Sequence, residues 1–230
     1  VAVKVKHPVR EIQDRPEGGH RVVVEEGRSF DCDYVVNASG AWARQVGEMA
    51  GVRTNVIPQR HQAAVMVTNK DYGYLIPSVM DYIPHSGEAG LYFRHEREGR
   101  LVAGLHSEEM HEVVTDPSDY HRSAHQEFLE ELAAKLAIRL PGFPDAGLGD
   151  GWAGLYPISP DGVPQVGPNP GKESFISAVG SGGSGIQLSP VMGEIVAGWI
   201  VDGSGDVIAG GSSLHPDRPA LEHEVEVASD

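Results

Sequence analysis

An apolar stretch from Phe175 to Val179 leads through Gly180-Ser181-Gly182-Gly183-Ser184-Gly185 into a second apolar pattern that opens at Ile186. A strand, a glycine-rich turn and a helix in that order suit the handling of negative charge. Glycines allow left-handed backbone and close approach, and the first turn of a helix presents unpaired N–H groups at the positive end of its dipole. Such a site holds an anion, or a carbonyl oxygen that gains charge during a reaction. No Lys-Ser/Thr pair closes the motif, so it is not the phosphate loop of a nucleoside triphosphatase. A tight strand–helix turn with no ligand has the same spacing.

Other residues offer weaker chemistry. Val35-Val36-Asn37-Ala38-Ser39-Gly40 repeats the strand-to-small-residue-turn arrangement, as in sheets where backbone must approach a dinucleotide. A helix packed closely on a buried strand reads the same way. Arg60 and Arg94 could clamp a carboxylate with two parallel hydrogen bonds, or serve as surface ion pairs in an acidic chain. Tyr82 and Tyr92 suit pocket walls as well as core packing. His121 and His125 stand four apart, as zinc ligands can. Arg122 occupies the place of a metallohydrolase glutamate and no third ligand is evident, so no metal is expected. Cys32, the one cysteine, excludes an internal disulfide framework and reads as a small buried hydrophobe.

The elements that position these residues follow from periodicity. Val1–Val5 alternate apolar and polar like a strand, as do Val9–Ile12 and His20–Glu25. Ser29–Asp31 and Tyr34–Val36 come next, the latter a continuous apolar run expected to be buried on both faces. A helix is expected from Ala41 to Ala50, closed by Gly51. From Val56 the pattern changes to closely spaced strands, Val56–Thr68, Leu91–Phe93 and Leu101–His106, which favour an antiparallel sheet. Asp116-Pro117 reads as a helix start, and Leu129, Leu132, Leu136 and Leu140 mark its apolar face before Pro141-Gly142 stops it. Gly147–Tyr156 reads as extended, Phe175–Val179 as a buried strand, and Ile186–Val201 as a helix with Ile186 available for packing. The residues from Ser212 onward are polar and acidic, as in a weakly ordered tail.

Composition narrows the function classes. The 230 residues carry 18 Lys and Arg against 33 Asp and Glu, a formal charge of -15, which disfavours nucleic acid or an anionic membrane as the main partner. No run approaches the roughly 20 apolar residues of a membrane span. No secretory leader pattern is present, so a cytoplasmic location is expected. The chain opens on Val in mid-pattern, so a fragment without its N-terminal part is expected.

Five segments in order carry a resemblance: DYVVNASGAWA, VIPQRHQ, LYFRHEREGRLVAG, WAGLYPISPDGVPQVG and AVGSGGSGIQLSPVMGEIVA. Together they resemble FAD-dependent amine and amino-acid oxidoreductases of the D-amino-acid oxidase type, which include glycine oxidase, monomeric sarcosine oxidase and dimethylglycine dehydrogenase. The likeness covers roughly Val1 to Val201. The family's N-terminal GxGxxG segment has no counterpart among these residues, in keeping with the expected fragment. By this resemblance Val9 matches a backbone position meeting adenine. Ala38, Ser39 and Gly40 match the turn beside the adenosine, and Trp42 the aromatic just beyond. Gly182, Gly183, Ser184, Gly185, Ile186 and Gln187 match the loop whose N–H groups face the flavin pyrimidine ring. His106 falls at an active-site histidine, although a surface histidine at a strand end looks the same. Gly154 stands where the sarcosine enzyme has a flavin-linking cysteine, which implies non-covalent FAD. Val102 stands in place of its oxygen-activating lysine, so a dehydrogenase is favoured over an oxidase. Gln187 replaces a carboxylate-binding lysine, so the substrate's identity does not carry over.

The expected fold is therefore α/β, the later part of a Rossmann-like FAD-binding domain with an inserted antiparallel-sheet substrate domain. The boundaries are expected at 1–55 and 147–208 for the FAD domain, 56–146 for the insertion and 209–230 for the tail. The function the resemblance implies is oxidation of a C–N bond in a small amine or amino acid, by hydride transfer to flavin and hydrolysis of the imine. The electron acceptor is left open. A non-catalytic flavin-binding or assembly subunit, or a truncated domain inactive on its own, are the alternatives.

Overall fold

The computed structural model describes residues 1–68, 73–96, 99–106, 112–142 and 146–221. Two compact units emerge: Val1–Pro58 with the chain from Tyr156 onward, and Gln59–Leu155. Both divisions fall inside long strands, β5 (Ile57–Val67) and β9 (Gly147–Ile158). The second therefore lies later than the expected boundary at 146, because the whole of Gly147–Leu155 continues the inserted sheet.

In the first unit β1 (Val9–Asp14), β2 (His20–Val24) and β3 (Ser29–Cys32) form an antiparallel sheet. A second sheet has the order β10-β11-β4, from β4 (Val35–Asn37), β10 (Gln165–Asn169) and β11 (Lys172–Val179). β11 runs antiparallel to β10 and parallel to β4. The helix α3 (Gly185–Val201) covers β10 and β11 by burying Met192, Ile195 and Val196 against Val166 and Ile176. Pro190 lies inside α3 without an N–H to give, and Ser189 Oγ donates instead to the Ile186 carbonyl at 2.9 Å. The short helix α1 (Ala43–Met49) ends at Ala50, whose side chain joins Ile12, Val52 and Phe175 in a separate cluster.

In the second unit the sheet order is β6-β7-β8-β5-β9, with β6 (Val79–Asp81), β7 (Gly90–His95) and β8 (Arg100–His106). The β6–β7, β7–β8 and β8–β5 pairs are antiparallel. The helix α2 (Gln126–Arg139) lays Leu132 and Leu136 on Ala64, Met66, Leu91, Phe93, Leu101 and Ala103, with Leu129 and Leu140 at the margin of that core. The leucine spacing thus marks the buried face as expected.

Several local expectations need correction. Val1–Val5 form no strand and are exposed; Lys4 lies over the Phe30 ring at 5.4 Å. Tyr34 and Val36 are exposed: among the described residues only the Val35 side of this segment is covered, by the Ile12–Phe175 cluster. Asp116 does not cap a helix: its carboxylate accepts the Ser118 N–H at 2.8 Å in a local turn, and α2 starts only at Gln126. His121 and His125 consequently precede the helix, with rings stacked at 5.3 Å. β6 and β10 were not expected. Residues 209–221 are held in place, with Leu221 buried and Arg218 paired to Asp161 at 2.7 Å; the rest of the expected tail lies outside the described residues. No helix among the described residues is long and apolar enough to cross a membrane.

Candidate functional site

β4 and β11 lie parallel with Val35 opposite Phe175 and Asn37 opposite Ser177. Parallel pairing brings both carboxyl ends to one edge, so the turns after Asn37 and after Val179 leave the sheet side by side. Crevices at that edge are where α/β sheets hold ligands. The first turn is organised by Asn37, which is buried. Its Nδ2 donates to the Ala43 carbonyl at 3.0 Å, and its Oδ1 accepts from Ser39 Oγ at 2.6 Å and from the Ser39 N–H at 3.3 Å. Ala38, Ser39 and Gly40 are thereby fixed, with Trp42 partly exposed beyond them.

The second turn needs its glycines for two reasons. Gly180 has φ +74°, and a Cβ there would collide with Ser159 Oγ. At Gly183 a Cβ would fall 2.6 Å from the Tyr156 ring. Gly182–Ser184 make one tight helical turn and α3 follows at once. No side chain caps either start, and the first turn of α3 contains no acidic residue. The Ser184 N–H is taken up within the turn by the Ser181 carbonyl at 3.1 Å; at the remaining N–H groups of the turn and helix start the helix dipole favours negative charge. Ile186 is 94% exposed rather than packed. An apolar side chain in the open beside uncapped N–H groups fits a ligand with a flat apolar body and electronegative edge, which is the chemistry of a flavin ring. Val9, by contrast, turns its side chain toward the Ile12–Phe175 cluster, leaving only its backbone for a ligand.

The other candidates lie in the second unit. Leu101 and Ala103 of β8 face α2, so Val102, Gly104 and His106 share the opposite face of the sheet. Tyr92 and Arg94 of β7 lie on that same face, opposite Gly104 and Val102. The Tyr92 ring lies across Gly104, where any Cβ would strike its hydroxyl. The rings of Tyr82 and His106 meet edge to face with centroids 4.9 Å apart. Tyr82, Tyr92 and His106 thus belong to one aromatic and polar surface. Arg94 borders it, exposed and paired to Glu96 at 2.7 Å.

Arg60 does not join them. It is 3% exposed, and its guanidinium donates to the carbonyls of His121 at 2.7 Å and Ser123 at 2.6 Å and to Glu112 at 3.3 Å. It ties down the segment before α2 in place of the expected clamp. Cys32 donates weakly to the His20 carbonyl at 3.7 Å, and burial pushes its thiol up, consistent with a small unreactive hydrophobe. Among the described residues no cluster of three His, Cys, Asp or Glu could hold a metal.

Ser159 and Tyr156 at the glycine turn were not singled out from the sequence, and Asn37 was read there only as part of its motif, without its organising role. Asn37 had a signal, a polar residue ending a buried strand before small residues. Ser159 and Tyr156 contact the turn across the β9–β11 region, and nothing local to them marks this.

The family model for FAD dependent oxidoreductases, of the D-amino-acid oxidase group, matches residues 1–199. FAD-dependent oxidoreductase domain-containing protein 1 of Xenopus laevis is 33% identical over 193 residues, covering 77% of this chain and 36% of that protein. Human mitochondrial dimethylglycine dehydrogenase is 30% identical over 213 residues, covering 87% of this chain and 24% of its own. Among solved structures, L-proline dehydrogenase from P. horikoshii superposes with a TM-score of 0.76 at 24% identity, over 91% of this chain and 53% of that one. Glycine oxidase from Geobacillus kaustophilus gives a TM-score of 0.66 at 25% identity, over 84% and 47%. The chain thus spans half or less of the length of most of these relatives, and its fold is that of a partial Rossmann-like FAD domain with an inserted sheet.

Proposed function

Because the chain belongs to the FAD dependent oxidoreductase family, we propose that it forms part of an enzyme that oxidises a C–N bond in a small amine or amino acid. The observation that carries this is the uncapped start of α3, free of acidic side chains, beside the Asn37 turn at one edge of a parallel strand pair. Non-covalent FAD, when bound, supplies the hydride acceptor for the carbon next to the substrate nitrogen. Main-chain N–H groups of the Gly182–Gly185 turn and of the first residues of α3 would hold its electronegative edge, where the helix dipole favours negative charge. Ala38, Ser39, Gly40 and Trp42, set by Asn37, would receive the other end. Tyr82 and Tyr92 form a wall that orients the substrate. His106, held edge-on by Tyr82, offers an imidazole nitrogen to a proton from the substrate amine. Val102 puts an apolar side chain on the same face, where it provides no positive charge to promote reaction with oxygen.

The test is anaerobic addition of a panel of secondary amines and amino acids to the full-length, FAD-loaded protein, followed by mixing with air. Bleaching of the flavin band by at least one of them and slow return of colour are expected. No bleaching by any member of the panel would favour the non-catalytic subunit. Rapid reoxidation that Val102→Lys does not increase would remove the dehydrogenase assignment. Yellow colour left in the pellet after acid denaturation would contradict non-covalent binding.

A further inference from the structure

Arg218 lies in the segment after α3. Its Nε and Nη2 donate to the two carboxylate oxygens of Asp161 at 2.7 and 2.9 Å. Nη1 also donates to the carbonyls of Pro164 at 3.1 Å and Leu214 at 3.0 Å, and Nη2 to that of Val163 at 2.6 Å. A single planar cation therefore ties its own segment to both flanks of the Asp161–Pro164 turn. The turn is closed from within, by Gly162 N–H to the Ser159 carbonyl at 2.9 Å and Val163 N–H to Asp161 Oδ1 at 3.1 Å.

From this turn the contacts lead inward. Ser159 is fully buried, and its Oγ accepts from Gln165 Nε2 at 2.9 Å. That Oγ fills the space where a side chain on Gly180 would stand. The neighbouring Ile158 pairs with Ser181 through an isolated bridge, and its Cδ1 lies 3.2 Å from the Cβ position of Gly182. Ser159 and Ile158 thus form the floor of the glycine turn, and Arg218 holds the far end of that floor.

We propose that Arg218 is a positioning residue for the cofactor turn: by locking Asp161 it keeps Ser159 and Ile158 beneath Gly180–Gly182, and so aims the first N–H groups of α3. The inference rests on the FAD reading above. The pair is only 14% and 16% exposed, so water screens it less than a surface pair. A bidentate fork also fixes orientation, which a lysine cannot reproduce. If the floor shifts, the N–H groups lose their alignment, and charge stabilisation depends on that alignment.

The experiment uses the full-length FAD-loaded protein, with FAD affinity measured by flavin fluorescence and the flavin absorbance maxima recorded alongside. Arg218→Ala and Asp161→Asn are each expected to weaken FAD binding about tenfold and to shift the absorbance maxima. The double variant should lose little more than either, and Arg218→Lys should fall between. Leu132→Ala, in the core of the other unit, should lower thermal stability without moving the spectrum, which separates positioning from general loosening. A folded Arg218→Ala with unchanged affinity and spectrum overturns the inference. Should Arg218→Ala fail to fold, Asp161→Asn decides in the same way, since its amide oxygen can still accept the Val163 N–H. Gly183→Val separates the two readings. If it too leaves FAD affinity unchanged, the cofactor site itself is misplaced; if it alone weakens binding, only the role of Arg218 falls.

Discussion

The Gly180–Ser184 turn and the sheet face bearing Tyr82, Tyr92 and His106 are built from opposite materials. The turn presents main chain: its donors are backbone N–H groups, and side chains are kept out of the way by glycine at Gly180 and Gly183. The sheet face presents side chains, and its geometry depends on which strand residues point away from α2. A backbone site is specified by residue type at fixed positions in one short segment. A side-chain site on a sheet is specified by register, and a slip of one residue would send Val102 and His106 into the core and bring Leu101 and Leu105 out. The first is robust to surface variation and sensitive to any added Cβ; the second should be the reverse.

The largest effect should come from Arg60, which tests whether it belongs to the sheet-face site or to the framework beneath it. Its charge is buried and bonded to two main-chain carbonyls and Glu112. Arg60→Met leaves those two carbonyls unpaired, and each buried acceptor left unsatisfied costs about 1–3 kcal/mol. Urea unfolding should show that loss, with FAD affinity unaltered. An Arg60→Met protein of undiminished stability but raised KM would return Arg60 to the substrate site.

Next comes Gly183→Val, the direct strike at the backbone site. A branched side chain there meets the Tyr156 ring, and overpacking of this kind costs about 1–3 kcal/mol. FAD affinity should fall roughly thirtyfold, equivalent to about 2 kcal/mol. The companion change Tyr156→Ala opens that space, so the double variant should recover part of the binding. Absence of any recovery would mean that Tyr156 is not what Gly183 must avoid.

The same contrast explains how much could be read from the chain. The glycine turn, the Asn37–Gly40 turn and the apolar stripe of α2 were legible because each depends on local residue type or on a period within one element. Ile186 was assigned to packing because periodicity reports which face of a helix is apolar, and it does not say where the covering layer stops. The misplaced helix start at Asp116 has a related cause, since an aspartate before proline suits a turn as well as an N-cap. Arg60 looked like a ligand clamp because an arginine in a strand has the same type whether it faces a ligand or three acceptors of the fold. The floor of the cofactor turn was invisible for the plainest reason. Ser159 meets Gly180, and Arg218 meets Asp161, only after distant segments have packed.

The smallest expected effect is a pH dependence of the Arg218 segment, and it sharpens the comparison because the contacts of this strap lead to the glycine turn. The Arg218 guanidinium holds the Asp161 carboxyl below the usual range, helped by the Val163 N–H. A depressed carboxylate contributes stability that is fully present above its unfolded value of about 3.9 and is lost as pH falls through the lower folded value. His215, whose ring meets Trp199 edge to face at 5.5 Å, is also held below its ordinary range, by burial, with Asp217 acting in the opposite sense. The neutral ring is the form the fold prefers. Its contribution is therefore present above the unfolded value of about 6.5 and is lost as pH falls through the folded one. The strap should loosen in two acid steps, the histidine step first. Since His215 is partly open to water, solvent screening keeps that step below about 1 kcal/mol. Urea unfolding at pH 7.5 and again near the lower end of the histidine step should show a small loss, and His215→Phe, which keeps the ring contact with Trp199 and cannot take up a proton, should remove it. A loss that persists in His215→Phe, or a gain in stability on acidification, would show that the ring is not held neutral by its burial.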